Sequence, residues 1–262
     1  MNKQIIRNTG DYQNIMNSIN SIKFALIFVL LMFLTACGEK TSLIFVVDFT
    51  KSVSAEARAK SFEAIQRQAK TLGRGASVTV IPITDDALVE TSGKVLRLEA
   101  GEIRKLRDKD LKEFQAEIER RLAEMQSSAK TYNQTDLFGA LRVAQEETAN
   151  LTARKRQAVV IVLSDLVHST AQIRFETDAN FANAETSRRY AEKLCNGKAG
   201  EWKDAEIYLG SLESSDLRKM PNDRREAVRE FWQAYFKFGG VKRLQFATDG
   251  TGQLANFLKS AP

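Results

Sequence analysis

The sequence predicts an α/β fold: a doubly wound, mostly parallel six-stranded sheet with helices on both faces and one antiparallel edge strand. Three observations carry this. Residues 43–47 ("LIFVV") and 158–163 ("AVVIVL") are apolar at every position, the pattern of strands buried on both faces. Strand patterns alternate with helical ones of about a dozen residues or more, which is what crossover connections between parallel strands require. Composition is that of one globular core, with 43% hydrophobic residues, 27% charged residues and three prolines in 262 residues.

The elements follow in order. Residues 42–47 are the first strand, and 54–72 ("SAEARAKSFEAIQRQAKTL") a helix stopped by Gly73. Residues 77–83 ("SVTVIPI") form a strand, and 94–98 ("KVLRL") a short edge strand. Over 102–127, Leu106, Leu111, Phe114, Ile118, Leu122 and Met125 recur mostly at spacings of three or four. That is an amphipathic helix with a heavily charged outer face, and packing on the core is a better account of it than a coiled coil or a docking segment. Residues 136–149 form a helix entered through "YNQTD", with Thr135 at its N-cap. A strand at 157–163, a loop at 165–178 and a helix at 180–195 come next. A strand at 205–211, a helix at 222–237, a strand at 241–247 and a short helix from Gln253 complete the chain.

The first 36 residues read differently. Lys23 precedes "FALIFVLLMFLTAC", an apolar run shorter than a membrane span, which ends in small residues before Cys37. The stretch Leu34-Thr35-Ala36-Cys37-Gly38 resembles the lipobox of bacterial lipoproteins, whose cysteine is acylated and becomes the mature N-terminus. The expectation is a signal peptide over 1–36, with Met16 the more ordinary start for such a leader. A lipidated Cys37 and a short linker follow over 37–40, then one domain over 41–262. A plain signal peptide or an N-terminal anchor helix is the alternative. The lipoprotein reading places the domain at the bacterial cell envelope, on the periplasmic or outer face of a membrane. With Cys37 lipidated, Cys195 has no disulfide partner and is read as a buried structural thiol.

The formal charge is +6. Residues 1–36 hold Lys3, Arg7 and Lys23 against Asp11, so the 39 basic and 33 acidic side chains fall to 36 and 32 without them. The charges are interspersed, with no basic stripe carrying aromatics, so nucleic acid is not an expected partner. One histidine, His168, cannot build a zinc site or a Ser-His-Asp triad alone. Neither a phosphate-binding glycine loop nor a nucleophile elbow is present.

In an open α/β sheet, ligands bind beyond the carboxyl ends of the strands, near the point where strand order reverses. Asp48-Phe49-Thr50-Lys51-Ser52 follows the first strand, and Ser164-Asp165 follows the strand at 157–163. With Thr135 these offer two carboxylates and three hydroxyls, hard oxygen donors suited to Mg²⁺ or a similar divalent ion. Each residue also has a bland account. Asp48 and Asp165 could simply end strands, Thr135 could only cap a helix, and Ser52 or Ser54 could cap the helix near 55. Asp85 and Asp86 read as a solvated turn, and His168 as a residue of the site's rim.

Taken together, Asp48-x-Thr50-x-Ser52, Thr135 in "QTDLFGALRVA" and Asp165 in "VVIVLSDL" resemble a von Willebrand factor A (vWA) domain with a metal-ion-dependent adhesion site. Thr50 stands where that motif has its first serine, Ser164 where threonine is common, and Leu166 where glycine is usual. The resemblance implies that Thr50, Ser52 and Thr135 hold Mg²⁺ (or Mn²⁺ or Ca²⁺) through hydroxyl oxygens. Asp48 and Asp165 would act largely through water and hydrogen bonds. It further implies a non-enzymatic protein whose partner presents an acidic side chain to the metal. Two alternatives stand beside it. One is a metal-dependent hydrolase on a similar scaffold. The other is a scaffold with a degenerate site, docking through the helix at 102–127 or through "LRKMPNDRREAVRE".

Overall fold

Continuous apolar runs become the central strands of a six-stranded sheet. The computed structural model describes residues 41–72, 76–90, 95–99, 109–128, 132–196, 200–203 and 205–260. The leader expected at 1–36, the expected lipidation site Cys37 and the expected linker to residue 40 therefore lie outside the described residues. Among those described, no helix is long and apolar enough to cross a membrane.

The strands are β1 (Thr41–Asp48), β2 (Ser77–Ile83), β3 (Leu96–Glu99), β4 (Gln157–Ser164), β5 (Ala205–Ser211) and β6 (Arg243–Ala247). Their spatial order is β3-β2-β1-β4-β5-β6, with every neighbouring pair parallel except β2 and β3. This is the doubly wound sheet with one antiparallel edge strand that the sequence predicts. Strand order reverses between β1 and β4, where Val47 lies beside Leu163.

Among the described residues eight α-helices join the strands: α1 (Ala55–Ala69), α2 (Ala87–Glu90), α3 (Lys109–Ser128), α4 (Leu137–Ala153), α5 (Ala184–Cys195), α6 (Ser215–Lys219), α7 (Asn222–Phe238) and α8 (Leu254–Lys259). Although β1 is apolar throughout, its side chains still alternate between faces. Ile44 and Val46 join a core with residues of α2, α4, α5 and α7. Leu43, Phe45 and Val47 join a second core with residues of α1, α3 and α8.

Several elements differ from the sequence reading for local reasons. The edge strand is Leu96–Glu99, one or two residues later than expected. The helix expected over 102–127 is Lys109–Ser128, and Leu106, like Gly73, lies outside the described residues. The expected helix at 180–195 is divided into a 3₁₀ turn (Ala179–Phe181) and α5. Asn183 makes the division by starting α5 with a capping box, its side chain accepting from Thr186 N at 3.0 Å. Helices α2 and α6 have four and five residues, too short to show a helical period. Cys195 is buried, its Sγ donating to the Tyr235 carbonyl at 3.4 Å.

Helix α3 packs as its spacing suggests. Ile118 and Leu122 are fully buried and Phe114 nearly so, while Arg120 pairs with Glu117 and Glu124 on the exposed side. If α3 is core and not a docking surface, Ile118→Ala will lower unfolding free energy by about 2–5 kcal/mol. Arg120→Ala will change it by under about 1 kcal/mol, because exposed ion pairs contribute little. Urea unfolding of both variants measures the contrast; equal effects would contradict this packing.

Candidate metal centre

The chain leaves β1 at Asp48, whose carboxylate is completely buried. Its Oδ1 accepts from Thr50 N at 2.8 Å and from Thr50 Oγ1 at 2.6 Å. Its Oδ2 accepts from Ser164 Oγ, at the end of β4, at 2.6 Å. The turn at Lys51 and Ser52 leaves Thr50 Oγ1 3.0 Å from Ser52 Oγ. The two hydroxyls are within hydrogen-bond distance, and either can donate. Burial pushes the Asp48 carboxyl up, and the bonds from Ser164 and Thr50 and the charge of Arg58 oppose the rise.

Residues 132–135 are stitched alongside. Tyr132 N donates to the Phe49 carbonyl at 3.3 Å, and Lys51 N donates to the Tyr132 carbonyl at 2.9 Å. Thr135 exchanges both backbone hydrogen bonds with Ser169, at 2.8 and 3.0 Å. Thr135 is not the N-cap of α4, contrary to the sequence reading. Asp136 takes that role, its Oδ1 accepting from Gly139 N at 2.9 Å. A Cβ at Gly139 would meet the Asp136 carboxylate, which would have to shift from this position. Asp85 is engaged rather than merely solvated, since its Oδ1 accepts from Gln134 N at 2.6 Å.

Thr50, Ser52 and Thr135 line one cavity of about 250 Å³, together with Asn133, Ser169, Glu176 and Asp216. Asp165 stands behind this wall and is 1% exposed. Its Oδ1 accepts from Val167 N at 3.0 Å, while Oδ2 is buried with no hydrogen-bond partner. Burial and then the negative charge of Asp48 push the Asp165 carboxyl up to about 7, against the Val167 N–H and the nearby hydroxyls of Ser214 and Ser52. A buried carboxylate oxygen without a donor, beside a second carboxylate, is an electrostatic deficit that a cation would remove. The donor set therefore fits a hard divalent ion. Among the described residues no group of three or more His, Cys, Asp or Glu is arranged to hold a metal, and this site depends on hydroxyls instead.

Leu166 adopts φ 64°, a conformation that favours glycine and costs other residues about 1–2 kcal/mol. The turn is held all the same. Leu166 N donates to Ser164 Oγ at 3.0 Å, its carbonyl accepts from Trp232 Nε1 at 2.8 Å, and its side chain is buried. Leucine in place of glycine thus keeps the left-handed turn.

His168 is not on the rim. It is 3% exposed, its ring lying 4.7 Å from Phe138 and 5.6 Å from Phe175. The turn after β5 was the part of the site that sequence reasoning passed over. Ser52 carbonyl accepts from Ser215 N at 3.1 Å, and Ser214 bridges to Val53 and caps α6. The signal was available, because β5 ends at the same sheet edge as β1 and β4.

No family model matches the chain, and no curated protein matches it. Among solved structures it is similar to the VWA domain of SpRpn10, at 10% identity and a TM-score of 0.41, over 86% of this chain and 96% of that one. It is also similar to the manganese-loaded Plasmodium vivax TRAP protein, at 14% identity and a TM-score of 0.40, over 85% and 75% of the two chains. A third likeness is to three N-terminal domains of the type V pili tip protein Mfa5 from Porphyromonas gingivalis, at 13% identity and a TM-score of 0.35, over 62% and 28%. These are likenesses of architecture, and the reading of the site rests on its own residues.

Burial among the rings lowers the His168 pKa to about 4. Between about pH 6.5 and 4 an unfolded imidazole takes up a proton that the folded one refuses, so stability falls as pH drops through that window. Complete titration would cost on the order of 3 kcal/mol. Urea midpoints at pH 7 and 4.5 should therefore differ by more in the wild type than in His168→Leu.

Proposed function

We propose that residues 41–262 form a vWA-type binding domain that engages a protein partner through a divalent cation, Mg²⁺ or Mn²⁺, at the β1–β4 switch point. The supporting observation is the linked set at that edge. Asp48 organises the hydroxyls of Thr50 and Ser52 on the wall of a cavity shared with Thr135, and Asp165 keeps an unpartnered oxygen behind them. Thr50, Ser52 and Thr135 would hold the ion, with Asp48 and Asp165 orienting them and balancing its charge. A bound cation supplies electrostatic attraction for an acidic side chain of the partner. Hydroxyl donors leave much of its charge unneutralised for that purpose.

Hydrolysis fits the site less well. It would need a base open to substrate, and none of the three groups that the sequence offers is one: His168 is packed among rings, both Asp48 oxygens are engaged and Asp165 is 1% exposed. The charged face of α3 is laced with ion pairs, and Arg224, from the Arg-rich segment, donates to the carbonyls of Phe175 and Asp178. Docking through those surfaces is accordingly the weaker reading. At its N-terminus we propose a lipid-anchored protein of the bacterial envelope, attached through Cys37.

Titration of Mg²⁺ or Mn²⁺ into the full chain, held in mild detergent, tests the centre. Saturable binding is expected in the wild type, with Asp165→Ala and Ser52→Ala weakened by about tenfold or more. Equal affinities, or no uptake at millimolar ion, would refute the metal reading. For the anchor, Cys37→Ala should move the protein from the membrane fraction to the soluble one, and its retention on the membrane would refute lipidation.

A further inference from the structure

The loop between β4 and the 3₁₀ turn places on the cavity wall a glutamate that the resemblance does not assign. Glu176 lines it together with Thr50, Ser52 and Thr135, and its Oε2 is buried without a hydrogen-bond partner. The backbone around it is pinned on both sides. Phe175 N donates to the His168 carbonyl at 3.0 Å, and the Phe175 ring stacks on Phe181 with centroids 3.7 Å apart. Asp178 N donates to the Arg174 carbonyl at 2.8 Å, and Arg224 Nη1 donates to the carbonyls of Phe175 and Asp178 at 2.9 and 2.8 Å. The Glu176 carboxylate is thus held at the cavity by a fastened loop.

The other charged groups on this wall are already engaged. Lys51 Nζ donates to Asn133 Oδ1 at 2.6 Å, and Asp216 Oδ1 accepts from Ser215 Oγ at 3.2 Å. Glu176, on the cavity wall, and Asp165, outside its lining, each carry a buried oxygen without a hydrogen-bond partner. Burying such an oxygen is costly unless a cation or a donor meets it.

We propose that Glu176 is a direct ligand of the cation and an intrinsic competitor of the partner's acid; this rests on the metal reading above. Asp48 and Asp165 alone balance a divalent charge when both are ionised. A third carboxylate from the same chain strengthens ion binding, occupies the position an acidic partner would take and leaves less positive charge to attract it. The centre is self-occupied until a partner carboxylate displaces Glu176.

Mn²⁺ titration of the full chain in mild detergent, followed by electron paramagnetic resonance and water-proton relaxation, tests this against Glu176→Gln, an isosteric change, and Glu176→Asp. The expected result is an affinity about tenfold weaker in Glu176→Gln, with higher relaxivity per bound Mn²⁺ because a water replaces the carboxylate. Glu176→Asp should fall between it and the wild type. Acetate, as the carboxylate probe, should bind the Mn²⁺-loaded Glu176→Gln variant more tightly than the loaded wild type. Unchanged affinity, or weakened affinity with unchanged relaxivity, overturns direct ligation; if Asp165→Ala still loses the ion, the metal centre itself stands. Acetate binding that is no tighter in the variant overturns the competition. Failure of the wild type to take up Mn²⁺ overturns both readings.

Discussion

Everything at the sheet's carboxyl edge depends on one completely buried carboxylate. Asp48 closes β1, and a bare carboxylate there would be expensive. Three short hydrogen bonds make it tolerable, and each recruits a different part of the site. The Thr50 N–H sets the turn out of the strand, the Thr50 hydroxyl is oriented toward Asp48, and Ser164 locks the end of β4 beside it. The Thr50 hydroxyl so oriented lies within hydrogen-bond distance of Ser52, which links the second hydroxyl to the same carboxylate.

The walls are assembled from segments distant in sequence, and backbone hydrogen bonds join them. Residues 132–135 are tied on one side to Phe49 and Lys51 and on the other to Ser169, while the turn after β5 is tied to Ser52. Behind the loop after β4 lies an aromatic layer of Phe138, Phe175, Phe231 and Trp232, with His168 among them. That layer holds Leu166 in its left-handed turn through the Trp232 bond. The polar face of the site is therefore braced by an apolar one. The same arrangement makes His168 a liability toward acid rather than a group at the partner's reach.

Much of this was legible in advance for a simple reason. Fully apolar strands such as residues 43–47 and 158–163 announce burial on both faces, and a parallel sheet constrains where polar residues after them can lie. Asp48, Thr50 and Ser52 could be placed beyond the carboxyl end of the first strand on that ground. Capping was harder, because Thr135 and Asp136 are both good caps by type. Only the contact between Asp136 and Gly139 decided between them. The division at Asn183 was hidden for the same reason, since a capping residue inside a helical pattern looks like part of the helix.

Local chemistry in the chain determined the strands, the helices that connect them and the residue types available to a cation. These follow from hydrophobic period and side-chain donor chemistry, which act over a few neighbours. Tertiary structure decided what period cannot carry: that Ser164 serves Asp48, that His168 turns into the rings, and that Glu176 reaches the cavity with an unmatched oxygen. In each case the deciding partner lies on another element, or the deciding fact is burial. Burial and long-range contacts are properties of the packed chain and not of any short stretch of it.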